Sequence, residues 1–450
     1  MEATGSLARE QGNGTRVRRR PTRPVAGARP AGPSPVLRPW LRAQSVNVNR
    51  HAAALRPFRR AEFGTGAASP SEGHIQAVNQ LMASLRTDLL RLSGGVREAA
   101  DAAGLQPSTA RLQRVVRTKE RAHDWVRAIE RIWDFYFELF GQRQSMFADW
   151  LLACDRIALD CYQVSYMRCG VAKSIPAPPP FTYMRTGFSP ATFRRAIPLR
   201  RLGRQLNPFP LVQIPYHRMV NPWTLGAVLH EVSHNLMNDL GLARAVPARI
   251  GRRLLDPGLP RQVAAIWVRW NRELYADVSG LLLGGPAVVG SLLDVIGRSP
   301  EAVLAFDPRG PHPTPYLRAF ISFELLRRMG FADQAEHYRR LWTRLYPDAR
   351  AGTLPRRLLE TFPAANRMVV DAVCYQRFDA LGGKQLAEVL PFGHKEQQIT
   401  EEVAQRLAAG TDPGILPERL LIGAARFALD QRLARPGVIT RNFYTELARR

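Results

Sequence analysis

The chain is short of cysteine, lysine, histidine and acid, and each shortage narrows what it can be. Its 450 residues hold four cysteines, Cys154, Cys161, Cys169 and Cys374, without CxxC spacing or an evident pairing scheme. That argues against a disulfide scaffold or a cysteine-built metal module. Cys154 and Cys161 sit seven apart in an apolar stretch that reads as helix, so buried thiols and a reducing compartment, the cytoplasm, are expected. The hydrophobic core of a signal sequence is missing from the N-terminus, where MEATGSLAREQGNG runs into Arg16, Arg18, Arg19 and Arg20. No apolar run is suited to spanning a membrane. The most hydrophobic region, 274–297, is interrupted by Asp277, Pro286 and Asp294 and reads as two buried helices. There is also no internal repeat, glycine-rich phosphate loop or serine-elbow motif.

What is present in excess is arginine. Lysine and arginine total 64 against 38 acids, a net charge of +26, and lysine supplies little of it. Two causes remain open: an anionic partner such as nucleic acid or acidic lipid, or a coding bias towards arginine. An apolar share of 45% is enough for a real core, and 450 residues predict two or three folded units.

Residues 1–72 are rich in Arg, Pro, Ala and Gly, with Glu2, Glu10 and Glu62 as their acids ahead of Glu72 at the end of the stretch. Few apolar groups offset chain entropy there, so a disordered basic arm is expected. It could contact nucleic acid or an anionic surface, target the chain, or do neither. Residues 73–171 carry helical periodicity, with Trp125, Ile129, Ile132, Trp133, Phe137 and Phe140 reading as packing surface. Four prolines between Pro176 and Pro180 suggest a boundary near 172. A core unit would then cover 172–345 and a C-terminal helical segment 346–450. The expected fold class is mainly α (α+β), with a small sheet whose best strand is Leu211 to Tyr216. That strand reads either as an exposed edge able to pair with an extended substrate or as ordinary edge or loop.

The stretch LGAVLHEVSHNLMNDLG at 225–241 gathers the rest. His230, Glu231 and His234 form an HExxH pattern within apolar residues at helical spacing. Asn221-Pro222 suits the start of the helix and Gly241 its end. Histidines four apart share one helical face, so both imidazoles can reach one ion, with Glu231 beside them to hold a water. Two buried histidines that are merely hydrogen-bonded would be the plainer alternative. Downstream, NRELYAD at 271–277 places Glu273 and Asp277 four apart on a helix with Trp267, Trp270 and Leu274. Carboxylates entering an apolar helix are costly without partners, and a metal ion and its histidine would be such partners.

HEVSH followed by NRELYAD resembles the gluzincin metallopeptidases, nearest to the branch of CAAX-prenyl endopeptidases and heat-shock membrane peptidases. His312-Pro313 with Arg318, in HPTPYLR, fits the downstream His-Pro and arginine of that branch. The resemblance covers about residues 205–330 and lacks that branch's transmembrane helices. It implies a zincin-like core and one Zn2+ held by His230, His234 and Glu273. Glu231 would act as general base on the attacking water, and Asp277 would orient a ligand histidine, His230. His312, or less readily Tyr316, would donate to the developing oxyanion, and Arg318 would orient Asp277 or another carboxylate, or equally serve a purely structural ion pair. The implied activity is hydrolysis of a peptide or protein substrate, most simply by an endopeptidase. A non-catalytic zinc-containing binding or regulatory protein on the same scaffold, or a hydrolase of another amide, stays open.

Overall fold

A computed structural model describes residues 35–187, 189–198 and 205–450. The fold is mainly helical with a small sheet, and no helix among the described residues is long and apolar enough to cross a membrane. In chain order the first helices are α1 (Leu37–Ala54), α2 (Glu72–Leu105), α3 (Thr109–Gly141) and α4 (Ala148–Met167). Ser71 caps α2 and Ser108 caps α3 through their side chains, as expected of hydroxyls at helix starts.

The sequence reading of the first 72 residues changes here. Residues 1–34, with the arginine cluster at 16–20, lie outside the described residues. From Leu37 on, however, the supposed arm is folded. Leu41, Val48 and Ala52 of α1 are buried, as are Phe58 and Phe63 beyond it. Phe58 stacks on Trp133 with ring centroids 5.4 Å apart. Burying these few apolar groups against α2 and α3 supplies what the arginine-rich composition concealed.

Next come β1 (Phe181–Arg185), β2 (Ala191–Phe193) and β3 (Leu211–Pro215). They form one sheet in the order β1-β3-β2, with β1 parallel and β2 antiparallel to β3. The strand read from the sequence is therefore central, and Tyr216 already begins the helical turn α5 (Tyr216–Met219). Both β1 and β2 are edges. The backbone of Thr182 and Met184 on β1 is bonded by the side chains of Asp155, Arg143 and Gln142, so β2 is the edge left without such cover at Ala191 and Thr192 among the described residues. Phe181, Tyr183, Phe209 and Leu211 face the core shared by α1, α2 and α3, while Val212 and Ile214 face the larger core. This alternation is the period-two property of strands, and it makes the sheet the wall between two cores.

The larger core is built from α4, α6 (Gly226–Asp239), α7 (Ala245–Leu255), α8 (Arg261–Arg269), α9 (Asn271–Gly284), α10 (Pro286–Ile296), the short α11 (Pro300–Val303), α12 (Pro315–Arg328), α13 (Ala332–Leu345) and α14 (Arg356–Val370). A small hairpin follows, β4 (Arg377–Phe378) and β5 (Lys384–Gln385), and then α15 (Leu386–Val389), α16 (His394–Ala409), α17 (Leu420–Asp430) and α18 (Pro436–Arg449).

Two expected divisions therefore move. Helix α4 contributes Leu151, Cys154, Ile157 and Cys161 to the larger core, so the break between cores falls before α4 and not near 172. The segment after 346 is not separate either, because Leu420, Leu421, Phe443 and Leu447 share that same core. A buried ion pair strengthens the link. Arg419 donates to both oxygens of Asp160 on α4 at 2.9 Å, and to the carbonyl of Leu283 at the end of α9. The proline segment at 176–180 is a connection on the way to β1, not a domain boundary.

Candidate metal centre

Helices α6 and α9 run antiparallel in close contact, and the sequence of α9 explains the closeness. Glu273, Asp277, Gly280 and Gly284 fall at helical spacing on one face. A methyl group at Gly280 would lie 3.5 Å from the backbone nitrogen of His230, and one at Gly284 would lie 2.6 Å from Leu229 Cδ1. At Gly280 the backbone of α6 is thus in van der Waals reach, and at Gly284 the Leu229 side chain occupies the space of a methyl, so small residues line the contact that brings the two carboxylates to the histidines of α6. The motif helix starts at Gly226, after a separate 3-10 turn at Pro222–Thr224, and stops at Gly241 with φ +81°. Asn221, read as the helix cap, instead donates its side chain to the carbonyl of His217.

His230, His234 and Glu273 each point one ligand atom to a common position, all within 4.8 Å of one another. The Nε2 atoms of the two histidines are 3.2 Å apart and their rings cross at 88°. His230 Nε2 is 3.3 Å from Glu273 Oε2, and His234 Nε2 is 3.5 Å from Glu273 Oε1. Donors on a tetrahedral ion with bonds of about 2.0–2.1 Å stand about 3.3–3.4 Å apart. The separation of the two imidazole nitrogens is close to one edge of such a tetrahedron, and the Glu273 carboxylate lies at a similar distance from each of them, through one oxygen apiece. Two imidazole nitrogens and a carboxylate oxygen are also a suitable donor set for a divalent transition ion.

Around this triangle the polar groups are ordered. Asp277, 8% exposed, accepts from Nδ1 of His230 at 2.9 Å and from Arg318 at 2.5 and 2.7 Å. The contact directs Nε2 of His230 at the shared position, the arrangement by which outer carboxylates set a ligand histidine. Glu231 is buried and lines the adjoining cavity, yet has no hydrogen-bond or ion-pair partner among the described residues. His312 stands at the rim with its side chain 57% exposed, Nε2 lying 3.1 Å from Glu273 Oε2. In this arrangement it is engaged with Glu273, so reaching an oxyanion would require it to turn away. Tyr316 is not brought to the site. Its ring lies against Phe320 at a tilt of 53°, on another face of α12.

The electrostatics fit a cation. Beside the triangle, Glu231, Glu273 and Asp277 are three carboxylates and Arg318 is one guanidinium, so with neutral histidines these groups sum to −2, which a divalent ion would neutralise; Arg194 and Arg272 in the same cavity lining bring the lining as a whole to zero. Burial alone would disfavour charge on Glu273, but hydrogen bonds from His230, His234 and His312 hold its carboxyl far below the usual range. Burial likewise opposes ionisation of Asp277, and the Arg318 charge with the His230 bond brings it down to about 2. For His230, burial works against the imidazolium, but the two carboxylates lift its pKa to about 9. Glu231 is the contrast: burial pushes its pKa up, and the nearby histidines offset this only in part.

The triangle opens into a cavity of about 420 Å³. Its walls include Ala191 and Thr192 of β2, and the Thr192 hydroxyl accepts from Asn235 on α6 at 2.8 Å. The open sheet edge is thus fixed beside the metal-binding residues. Two further lining residues, Arg194 and Arg272, carry no distinguishing signal in a chain with so much arginine. Comparison with family models, curated proteins and solved structures finds no match to this chain.

Proposed function

We propose that this chain is a zinc-dependent peptidase, acting as an endopeptidase on extended peptide segments. The observation that carries the reading is Glu231, a buried, unpartnered carboxylate on the cavity side of the His230, His234 and Glu273 triangle. A purely structural metal site is closed by four protein ligands, whereas a catalytic one keeps three and an open position facing substrate. Zinc suits two imidazoles and a carboxylate at these separations, although other divalent ions accept the same donors.

A zinc ion held there would supply Lewis acidity towards water and towards the carbonyl oxygen of the scissile bond. His230 and His234 would hold it through Nε2, the first fixed by Asp277, which is itself held by Arg318. Glu231 takes the proton of the attacking water and passes it to the departing amine, a role favoured by its raised pKa. The outer edge of β2, at Ala191 and Thr192, offers backbone groups on which an extended peptide could add as a further strand.

Incubation of the zinc-loaded full-length protein with a diverse peptide library, read by mass spectrometry, tests the proposal. Chelator-sensitive cleavage products are expected. An absence of products despite bound zinc would favour a non-catalytic scaffold, and salt-sensitive nucleic-acid binding would then favour the binding protein.

A further inference from the structure

The cavity is polarised along α6. At the helix's N-terminal end it is walled by Gly226 and Ala227, with Val288, Val289, Leu292 and Val295 of α10. At the other end it is lined by Arg194 and Arg272. The packing of α9 fixes this order. Gly284 meets Leu229, Asp277 meets His230 and Glu273 meets His234, so Arg272 lies at the His234 end. Arg194 follows β2, which is tied by Thr192 to Asn235, one residue beyond His234.

Neither arginine side chain makes a hydrogen bond or ion pair with any described residue. Elsewhere in the fold, arginines near the surface commonly find carboxylates, as Arg426 does with Asp294 and Asp430. Arg194 is partly buried, which already opposes its charge, and Arg272 adds repulsion that Asp239 offsets only in part. Two close guanidiniums with no carboxylate in ion-pair contact, facing a cavity, are suited to a carboxylate from outside, since charge-assisted pairs are the stronger hydrogen bonds.

We infer that Arg194 and Arg272 form an anion subsite that binds a carboxylate of the peptide, while the α10 wall takes an apolar side chain of the same peptide. The inference rests on the peptidase reading for its substrate class but not for its chemistry. From Ala227 to His234 is a rise of about 10 Å at 1.5 Å per residue, which an extended peptide spans in about three residues. The two subsites therefore bracket the metal-binding triangle, with the apolar residue and the carboxylate about three positions apart.

The test uses the zinc-loaded full-length protein carrying Glu231→Gln, so that bound peptides stay intact, and labelled hexapeptides read by fluorescence anisotropy. Four peptides blocked at the N-terminus, and at the C-terminus in all but the third, carry one Leu. In the first, Glu lies three residues after it; in the second, Glu lies three residues before it. In the third a free C-terminal carboxylate takes the Glu position, and the fourth has Gln and an amide and carries no charge. At least one charged peptide should bind about tenfold or more tighter than the neutral one. The third peptide separates a terminal carboxylate from an acidic side chain as its source. Arg194→Gln with Arg272→Gln should remove the preference while zinc content stays unchanged. Equal binding of charged and neutral peptides, binding of none, or a preference that survives the double substitution overturns the subsite. Arginine-dependent binding without hydrolysis by the wild-type protein would instead overturn the peptidase reading and leave the subsite standing.

Discussion

Asp277 Oδ1 lies 2.9 Å from Nδ1 of His230, on the ring nitrogen opposite the one that faces His234 and Glu273. This single contact fixes the tautomer and the direction of His230, one of the three residues that could hold a metal ion, from a neighbouring helix. Asp277→Asn should therefore keep the fold but weaken metal affinity by about 10–100-fold. Competition with a chelator of known affinity measures it, and unchanged affinity would remove Asp277 from the account.

Metal affinity should also depend on pH through His230. In the metal-free protein its two carboxylate partners hold the proton up to about pH 9, and a ligand histidine must be neutral. Below that pH an incoming ion displaces the proton, so affinity rises as pH increases towards 9. Titration calorimetry in two buffers of different ionisation enthalpy at pH 7 should report proton release. No release would mean that His230 is already neutral.

The joint between α9 and α10 provides a stability test away from the chemistry. Gly285 has φ +68°, and a methyl there would overlap the Phe392 ring. Left-handed strain of about 1–2 kcal/mol adds to overpacking of about 1–3 kcal/mol. Gly285→Ala should thus destabilise the protein by about 2–5 kcal/mol in chemical denaturation.

Arg419 and Asp160 test whether the C-terminal segment belongs to the same core. Both are buried, and they join α17 to α4. Arg419→Ala leaves an uncompensated buried carboxylate, which should cost about 3–5 kcal/mol. The loss should appear in a transition shared by the whole larger core. A separate early transition of residues after 346 would restore the two-unit division.

The parts of this architecture that were legible in the sequence are those written at short helical spacing. HEVSH and the Glu273, Asp277 pair could be placed on helices because period alone puts their side chains on one face. Their meeting, with Asp277 on His230 and Arg318 on Asp277, was expected only through the resemblance to gluzincins. The free edge at β2 was not readable, because ATF at 191–193 is a three-residue strand without alternation. Helix α1 was hidden by its exposed arginines, since only Leu41, Val48 and Ala52 mark its buried face. The C-terminal helices carry ordinary apolar periodicity, which predicts that they pack but not against what.

The most direct test of the central claim compares the wild-type protein with Glu231→Gln for metal content and peptide hydrolysis in the same preparation. Glu231 makes no hydrogen bond or ion pair with His230, His234 or Glu273 and is not one of the three residues that could hold the ion, so both proteins should hold one zinc per chain. Hydrolysis should fall by about 10²–10⁴-fold in the variant. Equal hydrolysis by both proteins, or zinc in neither, would contradict the account.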